Sequence, residues 1–344
     1  MIVCIAEDRK SFEVPVKLLI LSLARHCAGL PIELFFPTPS PSFSDWLAKF
    51  PNVRLNRTQL AKDDGWNIKP QALLTLLRDG HDEVVWVDSD IIVTRDFRGA
   101  FNRLPAHAIG LTEEALWGSY SDANAWRAAQ WGLEIGRSLP FTVNTGVIRV
   151  TKDHIPLLAR WQDLLGSKDY RDAQRLETAQ RPGHLFGDQD VLTALLSSTE
   201  FAGIDIKFLR RGSEIIQYFG LSGYTCAERI TNAVNGPPCF VHSQVFKPWV
   251  KFDKPRNIEN LRDLFDTLYL DLSPYTLAAA KYAKQLDEPC PWIAPQSSIA
   301  ALMRALGLWY PPLVGLPIAA VADFVRVTNL QFAKRFYFRR ASLR

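Results

Sequence analysis

The fold class follows from one stretch of the sequence, Val84-Val85-Trp86-Val87-Asp88-Ser89-Asp90-Ile91-Ile92-Val93. The continuous apolar run before Asp88 is typical of a strand that is buried on both faces of a parallel sheet. Ligands of open α/β sheets bind at the carboxyl ends of strands, and carboxylate oxygens suit Mg²⁺ or Mn²⁺. We therefore expect an α/β fold with a metal site at Asp88 and Asp90. The alternative is a strand followed by an acidic turn.

Strand and helix signals alternate on both sides of this stretch. The predicted strands are Ile2–Ala6, Ile32–Phe36, Glu83–Val87, Thr142–Val150 and Cys239–His242. The predicted helices are Val14–Cys27, Ile68–Leu77, Ile155–Leu165 and Asp188–Ser197. This order predicts a mixed, mostly parallel sheet flanked by helices. A change in composition places a boundary near Lys254, with an α/β domain over residues 1–254 and a helical extension over residues 255–344.

Composition excludes several classes of protein. The chain has 344 residues, of which 47% are apolar and 22% are charged, as in an ordinary globular protein. Its net charge of +4 is too small to indicate nucleic acid as a partner. Five scattered cysteines without a CxxC pair argue against a disulfide framework and favour a reducing compartment. The short apolar start, followed by Glu7 and Asp8, does not resemble a signal peptide and predicts a cytoplasmic location.

Other polar residues follow apolar runs or start helices. His242 ends an apolar strand and could complete a metal site, and Lys247 could neutralise a phosphate; the alternatives are a structural histidine and a surface lysine. Asn144 belongs to an Asn-Thr-Gly sequence within a strand, where glycine often marks a close approach of ligand or backbone. Asp188 and Gln189 could line a sugar pocket, although Asp188 could equally cap a helix.

The order of these motifs resembles glycosyltransferase family 8 and related GT-A nucleotide-diphospho-sugar transferases over about residues 2–253. The resemblance implies a GT-A (Rossmann-like) fold and transfer of a hexose, with retention, from a UDP-type nucleotide-sugar donor to a glycan or lipid-linked acceptor. It implies that Asp88, Asp90 and His242 hold Mn²⁺ (or Mg²⁺). It further implies a nucleoside contact for Ala6 and Asp8, and a diphosphate contact for Lys247.

The same resemblance implies roles near the sugar. Asn144 matches an asparagine beside the donor sugar, Asp188 an acid that hydrogen-bonds its hydroxyls, and Gln189 a residue close to the anomeric carbon. Lys69 matches a basic residue before the DxD strand, with a surface lysine as the alternative. The spacing departs from the family at one point, because four residues without a glycine separate His242 from Lys247.

Two regions outside these motifs carry hypotheses of their own. Trp117, Trp126 and Trp131 lie in a polar stretch and could stack on an acceptor sugar or form a lid, or could pack in the core. Residues 297–344 combine an uncharged, proline-broken run with a basic end. This composition predicts peripheral contact with a membrane and no spanning helix, with a packed apolar subdomain as the alternative.

Two other functions compete with glycosyl transfer. A phosphatase of the haloacid dehalogenase type would use Asp88 as nucleophile and Asp90 as acid and base, but the later acids Asp188 and Asp190 do not have the spacing that it needs. A protein that binds nucleotide sugar without turnover is the second alternative. Release of nucleotide from a donor distinguishes all three.

Overall fold

The computed structural model describes residues 1–60, 65–114, 121–218, 223–245, 247–251, 258–294 and 298–306, together with Leu316, Ala320, Asp323 and Phe324. The chain divides into two compact units, Met1–Arg211 and Gly212–Arg344. The boundary predicted near Lys254 lies outside the described residues and stays a prediction.

The described part of the first unit contains a seven-stranded sheet in the order β3-β2-β1-β4-β7-β6-β8. Its strands are β1 (Ile2–Ala6), β2 (Ile32–Phe35), β3 (Val53–Asn56), β4 (Glu83–Val87), β6 (Ala108–Glu113), β7 (Val143–Thr151) and β8 (Asp205–Leu209), and a short strand β5 (Ile91–Val93) follows the Asp88-Ser89-Asp90 turn. Neighbouring strands are parallel except where β7 pairs with β4 and β6. The predicted mixed, mostly parallel sheet is confirmed.

Helices flank the sheet of the first unit. They are α1 (Glu13–His26), α2 (Pro41–Leu47), α3 (Lys69–Arg78), α4 (Arg98–Phe101), α5 (Ser121–Gln130), α6 (Ile155–Leu165), α7 (Lys168–Gln174) and α8 (Asp188–Ser197). Short 3-10 helices are Lys10–Phe12, Gly65–Ile68, Lys152–His154, Thr178–Gln180 and Gly183–Leu185. The four predicted helices are confirmed to within one residue at each end. One core cluster joins α3, α6 and α8 to the sheet, with Trp86 and Trp161 among its buried side chains.

The second unit pairs two parallel strands, β9 (Ile215–Gln217) and β10 (Phe240–His242). Its described helices are α9 (Cys226–Asn235), α10 (Pro248–Lys251), α11 (Leu261–Asp271), α12 (Pro274–Ala279) and α13 (Ser298–Ala305), with 3-10 helices at Ala280–Gln285 and Pro291–Ile293. The rings of Trp249, Tyr275 and Trp292 pack together in its core.

Nowhere in the described ranges is there a helix with the length and apolar character that crossing a membrane requires. Most of residues 297–344, to which we assign a membrane contact, lie outside those ranges. The assignment stays a prediction.

The reversed direction of β7 positions the polar residues at its start. Because β7 is antiparallel to β4, its first residues lie beside the last residues of β4, with Val87 opposite Val147. The Asp88 backbone N–H donates to the Gly146 carbonyl at 2.9 Å, and Asn144 lies opposite Thr112 near the end of β6. The amino end of β7 therefore belongs to the edge at which β4 and β6 end.

His154, at the opposite end of β7, is buried and makes stability depend on pH. Its Nδ1 accepts from the Thr151 backbone N–H at 3.0 Å. Burial, followed by the charge of Arg149, lowers its pKa to about 4. The unfolded chain therefore takes up a proton below about pH 6.5 that the folded chain does not. The stabilisation is fully present above pH 6.5 and is lost as the pH falls towards 4.

We expect a fall from pH 7 to pH 5 to cost about 2 kcal/mol of unfolding free energy through His154. His154→Gln should remove this increment, as measured by urea denaturation of both proteins at the two pH values. His107→Gln, which changes an exposed histidine, is the control and should keep the wild-type pH dependence. Equal pH dependence in wild type and His154→Gln would contradict the assignment.

Candidate active site

Asp88 and Asp90 lie directly after β4, at the carboxyl edge of the sheet. The Trp86 indole N–H donates to Asp88 Oδ1 at 2.7 Å and orients that carboxylate. The Asp88 side chain is 24% exposed, whereas Asp90 is buried. A hydrogen bond joins this turn to the residue that follows β1: the Ser89 hydroxyl donates to Glu7 Oε2 at 2.7 Å. The first unit thus holds a carboxylate pair where ligands of α/β sheets bind.

Lys69 connects this pair to α8. Its side chain is 5% exposed, and its Nζ lies 3.1 Å from Asp88 Oδ1 and 3.5 Å from Asp188 Oδ2. It also donates to Thr145 Oγ1 at 2.8 Å. Burial acts to lower the pKa of Lys69, but the charges of Asp188 and Asp88 outweigh it and raise the pKa. Lys69 is therefore a buried cation at the site, and the surface-lysine alternative is wrong.

Asp188 is the first residue of α8, while Gly187 occupies the N-cap position without a side-chain cap. Asp188 Oδ2 accepts from the Thr145 hydroxyl at 2.9 Å. Burial raises the pKa of Asp188, and the neighbouring Lys69 opposes that shift. The carboxylate thus faces Lys69 and the start of β7, so the alternative of an N-cap does not describe it.

Asn144 and Gln189 share one carboxylate, that of Glu114. The Asn144 amide donates to Glu114 Oε2 at 2.9 Å, and the Gln189 amide donates to the same oxygen at 3.1 Å. Asn144 also donates to Gln189 Oε1 at 3.3 Å, and its own oxygen accepts from the Gly146 N–H at 2.9 Å. Residues from the end of β6, the start of β7 and the first turn of α8 therefore form one network.

Sequence reasoning missed Glu114. It is buried and directly follows β6, as Asp88 directly follows β4, so its position at a strand end is the signal that could have found it. Sequence reasoning also missed the buried pair Arg127–Asp190, in which Nε and Oδ1 are 2.9 Å apart. Burial raises the pKa of Asp190 to about 6. Nothing local indicates this pair, because 63 positions separate its members.

The predicted nucleoside contacts lie at the end of β1. Ala6 is its last residue and is half-buried, and Asp8 is exposed two positions later. Glu7 between them is buried and accepts from the Asp8 backbone N–H at 3.1 Å and from Arg9 Nε at 2.7 Å. Glu7 thus holds the segment after β1 in place, a role that the sequence analysis did not assign to it.

In the second unit, His242 and Lys247 both belong to the segment that ends β10. His242 is buried, and its carbonyl accepts from the Tyr218 N–H at 2.8 Å. Lys247 Nζ donates to the Ser243 carbonyl at 2.6 Å and lies 5.6 Å from the centroid of the Trp249 ring. The lysine is therefore held against its own strand end.

No protein-family model matches this sequence, and no curated protein is significantly similar to it. Among solved structures, the chain is similar to the galactosyltransferase LgtC in complex with donor and acceptor sugar analogues, with a TM-score of 0.51 and 13% identity over 83% of this chain and 100% of that one. An active-site mutant of LgtC gives a TM-score of 0.52 and 12% identity over 84% and 97% of the two chains.

A third similar structure is the bifunctional glycosyltransferase WbbM, with a TM-score of 0.45 and 15% identity over 71% of this chain. The chain spans 45% of the length of WbbM. At such identities the likeness to LgtC shows the fold, and the expected GT-A fold is confirmed. This fold does not favour the alternative of a haloacid dehalogenase-type phosphatase.

Proposed function

We propose that this protein is a metal-dependent glycosyltransferase, related to family 8, that moves a hexose from a UDP-type nucleotide sugar to a glycan or lipid-linked acceptor with retention. The observation that supports it best is the convergence at one sheet edge of Asp88, Lys69, Asp188, Asn144 and Gln189. They come from four separate segments of the first unit: α3, the turn after β4, β7 and α8. The Lys69 cation suits the negative charge of a diphosphate. The side chains of Asp188, Asn144 and Gln189 suit the hydroxyl groups of a sugar, because they can accept or donate hydrogen bonds.

The donor set proposed for the metal is chemically suitable. Asp88, Asp90 and His242 each offer one ligand atom, two carboxylate oxygens and one imidazole nitrogen. Such a set suits a divalent ion such as Mn²⁺ or Mg²⁺. A divalent ion, when bound, neutralises charge that develops on the leaving diphosphate. Lys69 and the Trp86 indole hold the Asp88 carboxylate in place for this role.

The other residues that we assign to the donor contact either its nucleotide or its sugar. Ala6 and Asp8 bind the nucleoside, and Lys247 acts as a point charge on the diphosphate. Asn144 and Gln189 bind sugar hydroxyls with amides that Glu114 already orients. Such fixed dipoles need no reorganisation as charge develops at the anomeric carbon. Retention then requires the acceptor to attack on the face from which the diphosphate departs.

Turnover of nucleotide sugars tests the proposal directly. Purified protein would be incubated with a panel of nucleotide-diphosphate sugars and Mn²⁺, and release of nucleotide measured with and without chelator. The anomeric proton coupling of the product, read by NMR, reports retention. Binding of a nucleotide sugar without any release would instead support the non-catalytic alternative. Phosphate release from simple phosphate esters would support the phosphatase.

We expect Gln189→Ala to lower transfer about 100-fold, because one preoriented hydrogen bond at the reacting centre is lost. Binding of the free nucleotide diphosphate should change less than about threefold, since Gln189 is assigned to the sugar. Gln189 is a better probe than Asp188, whose buried charge also pairs with Lys69. Initial rates and calorimetric titrations measure the two effects.

Gln180→Ala is the matched control, because Gln180 is an exposed glutamine on a 3-10 helix. It should leave both rates and nucleotide affinity at the wild-type level. Equal losses of transfer and nucleotide affinity in Gln189→Ala would show that Gln189 does not act on the sugar.

We also propose a cytoplasmic protein whose residues 1–254 form the catalytic domain and whose residues 297–344 contact a membrane surface peripherally. Residues 325–344 carry six basic side chains and no acidic one, and each basic residue near an anionic surface is worth about 1 kcal/mol. We expect co-sedimentation with anionic vesicles, and its loss on deletion of 297–344. Unchanged sedimentation of the truncated protein would refute this contact.

A further inference from the structure

Trp126 presents an aromatic ring at the surface of the first unit. It lies on α5 and is 38% exposed, although most large aromatic side chains of this unit are buried. The sequence analysis left open whether Trp117, Trp126 and Trp131 bind a sugar or pack in the core; Trp117 lies outside the described residues. The partial exposure of Trp126 distinguishes it from a core residue.

The Trp126 ring is held in position by the 3-10 helix Gly183–Leu185. Its ring centroid is 6.3 Å from that of His184, with the two planes at 81°. Trp131 meets the same imidazole at 6.0 Å and 88°, and its indole N–H donates to the His184 carbonyl at 3.2 Å. A Cβ at Gly183 would lie 3.0 Å from Trp126 Cη2, so this helix packs closely against the ring.

Two polar side chains, those of His184 and Arg127, lie beside this ring. The Arg127 guanidinium carbon lies 5.2 Å from the Trp126 ring centroid. Burial lowers the pKa of His184, so its imidazole is neutral near pH 7 and can exchange hydrogen bonds with hydroxyl groups. A partly exposed apolar face with a neutral imidazole at its border suits a pyranose ring, which has an apolar face and hydroxyls around its edge.

The helix that carries Trp126 is joined to the helix that carries Gln189. Arg127, the next residue, pairs through Nε with Asp190 Oδ1 at 2.9 Å. Asp190 directly follows Gln189 in the first turn of α8. The ring itself is built from α5 and from Gly183–Leu185, neither of which supplies a residue that we assign to the donor. A sugar on Trp126 would therefore lie on a helix that packs directly against α8, which carries Gln189, without sharing the donor's contacts.

We propose that Trp126, bordered by His184 and Arg127, is a stacking platform for a pyranose ring of the acceptor. This inference rests on the proposed glycosyltransferase function and adds the chemistry of the acceptor site to it. An acceptor that stacks here carries at least one pyranose unit, so a simple alcohol or a phosphorylated lipid without a sugar would be a poor substrate.

Octyl β-glucoside and octyl β-galactoside, below their micellar concentrations, serve as probes of the platform. Their direct binding is measured by saturation-transfer NMR, and their use as acceptors by steady-state kinetics with a turned-over donor. We expect Trp126→Ala to raise the acceptor KM about tenfold, as loss of one aromatic contact predicts, and to weaken glycoside binding equally. Trp126→Phe should restore most of both.

The control variant is Leu176→Ala, which removes a side chain that is 44% exposed in the same unit. It should match wild type in every assay. Release of nucleotide from the donor, measured with and without glycoside, separates the two hypotheses. If wild type releases no nucleotide under either condition, the proposed function fails, while the NMR binding assay still tests the platform.

Three outcomes would overturn the platform. The first is wild-type protein that binds neither glycoside. The second is Trp126→Ala with unchanged acceptor KM and unchanged glycoside binding. The third is a loss of donor hydrolysis in Trp126→Ala as large as the loss of acceptor use, which would assign Trp126 a structural role. A selective loss of acceptor use, rescued by Trp126→Phe, supports it.

Discussion

Asp90→Asn is expected to lower kcat/KM for sugar transfer by about 1000-fold or more and to abolish the Mn²⁺ dependence of donor binding. An amide oxygen is a weaker ligand than a carboxylate, and it leaves one negative charge fewer to balance a divalent ion. Loss of metal-assisted stabilisation of the leaving diphosphate costs several kcal/mol, and about 4 kcal/mol corresponds to 1000-fold. Transfer rates and calorimetric titration of the donor, each with Mn²⁺ or with chelator, measure both effects.

Asp82→Asn is the matched control for this variant. Asp82 precedes β4 at its opposite end, is exposed and pairs with Lys152. The same chemical change there should leave transfer at the wild-type level. Thermal unfolding of Asp90→Asn without metal should resemble that of wild type, since the change is nearly isosteric. Full activity of Asp90→Asn in the presence of chelator would refute the metal-dependent mechanism.

Lys69→Met is expected to lower the free energy of unfolding by about 3–5 kcal/mol, because it leaves the buried Asp188 carboxylate and the partly buried Asp88 carboxylate without their counter-charge. Lys69 is 5% exposed and lies within 3.5 Å of both Asp88 and Asp188. Methionine keeps the aliphatic volume, so the loss reports the charge. Urea denaturation of the metal-free protein measures it.

A second substitution separates charge from packing. In Lys69→Met/Asp188→Asn, neutralising Asp188 should restore a large part of the lost stability, since the unpaired buried charge is gone. Lys152→Met removes an exposed lysine from a surface ion pair and should change stability little. If the double variant is no more stable than Lys69→Met, the loss does not come from the buried charge.

The strongest sequence predictions concerned elements with a clear local pattern. β4 buries four of its five side chains and α1 buries nine of its fourteen, so their largely apolar runs identified them. β3, β6 and β8 of the seven-stranded sheet were not predicted. β3 and β8 are edge strands with partly exposed side chains. Each has only four or five residues, so its alternation of apolar and polar residues is brief and was overlooked.

Candidate site residues were likewise predicted where the local sequence pattern is clear and missed where it is weak. Asp88 was identified because it follows an unmistakable strand. Glu114 follows β6 in the same manner, but β6 includes Gly110 and Thr112 and gives a weaker strand signal. Arg127 lies in a polar helix, where nothing local distinguishes it from a surface arginine. Its burial depends on Asp190, which lies 63 positions away.

By itself, the sequence determined the main local elements and the carboxylate pair at the end of β4, because apolar runs and strand ends are local properties. The order of motifs implied that Asn144, Asp188 and Gln189 act together, but only the tertiary structure decided which contacts join them to Asp88. The antiparallel β7 lies between β4 and β6, so its first residues join the edge where those strands end. Lys69 and Thr145 are 76 positions apart, and Thr145 and Asp188 are 43 apart. Their contacts arise from strand order and helix packing, which no local pattern specifies.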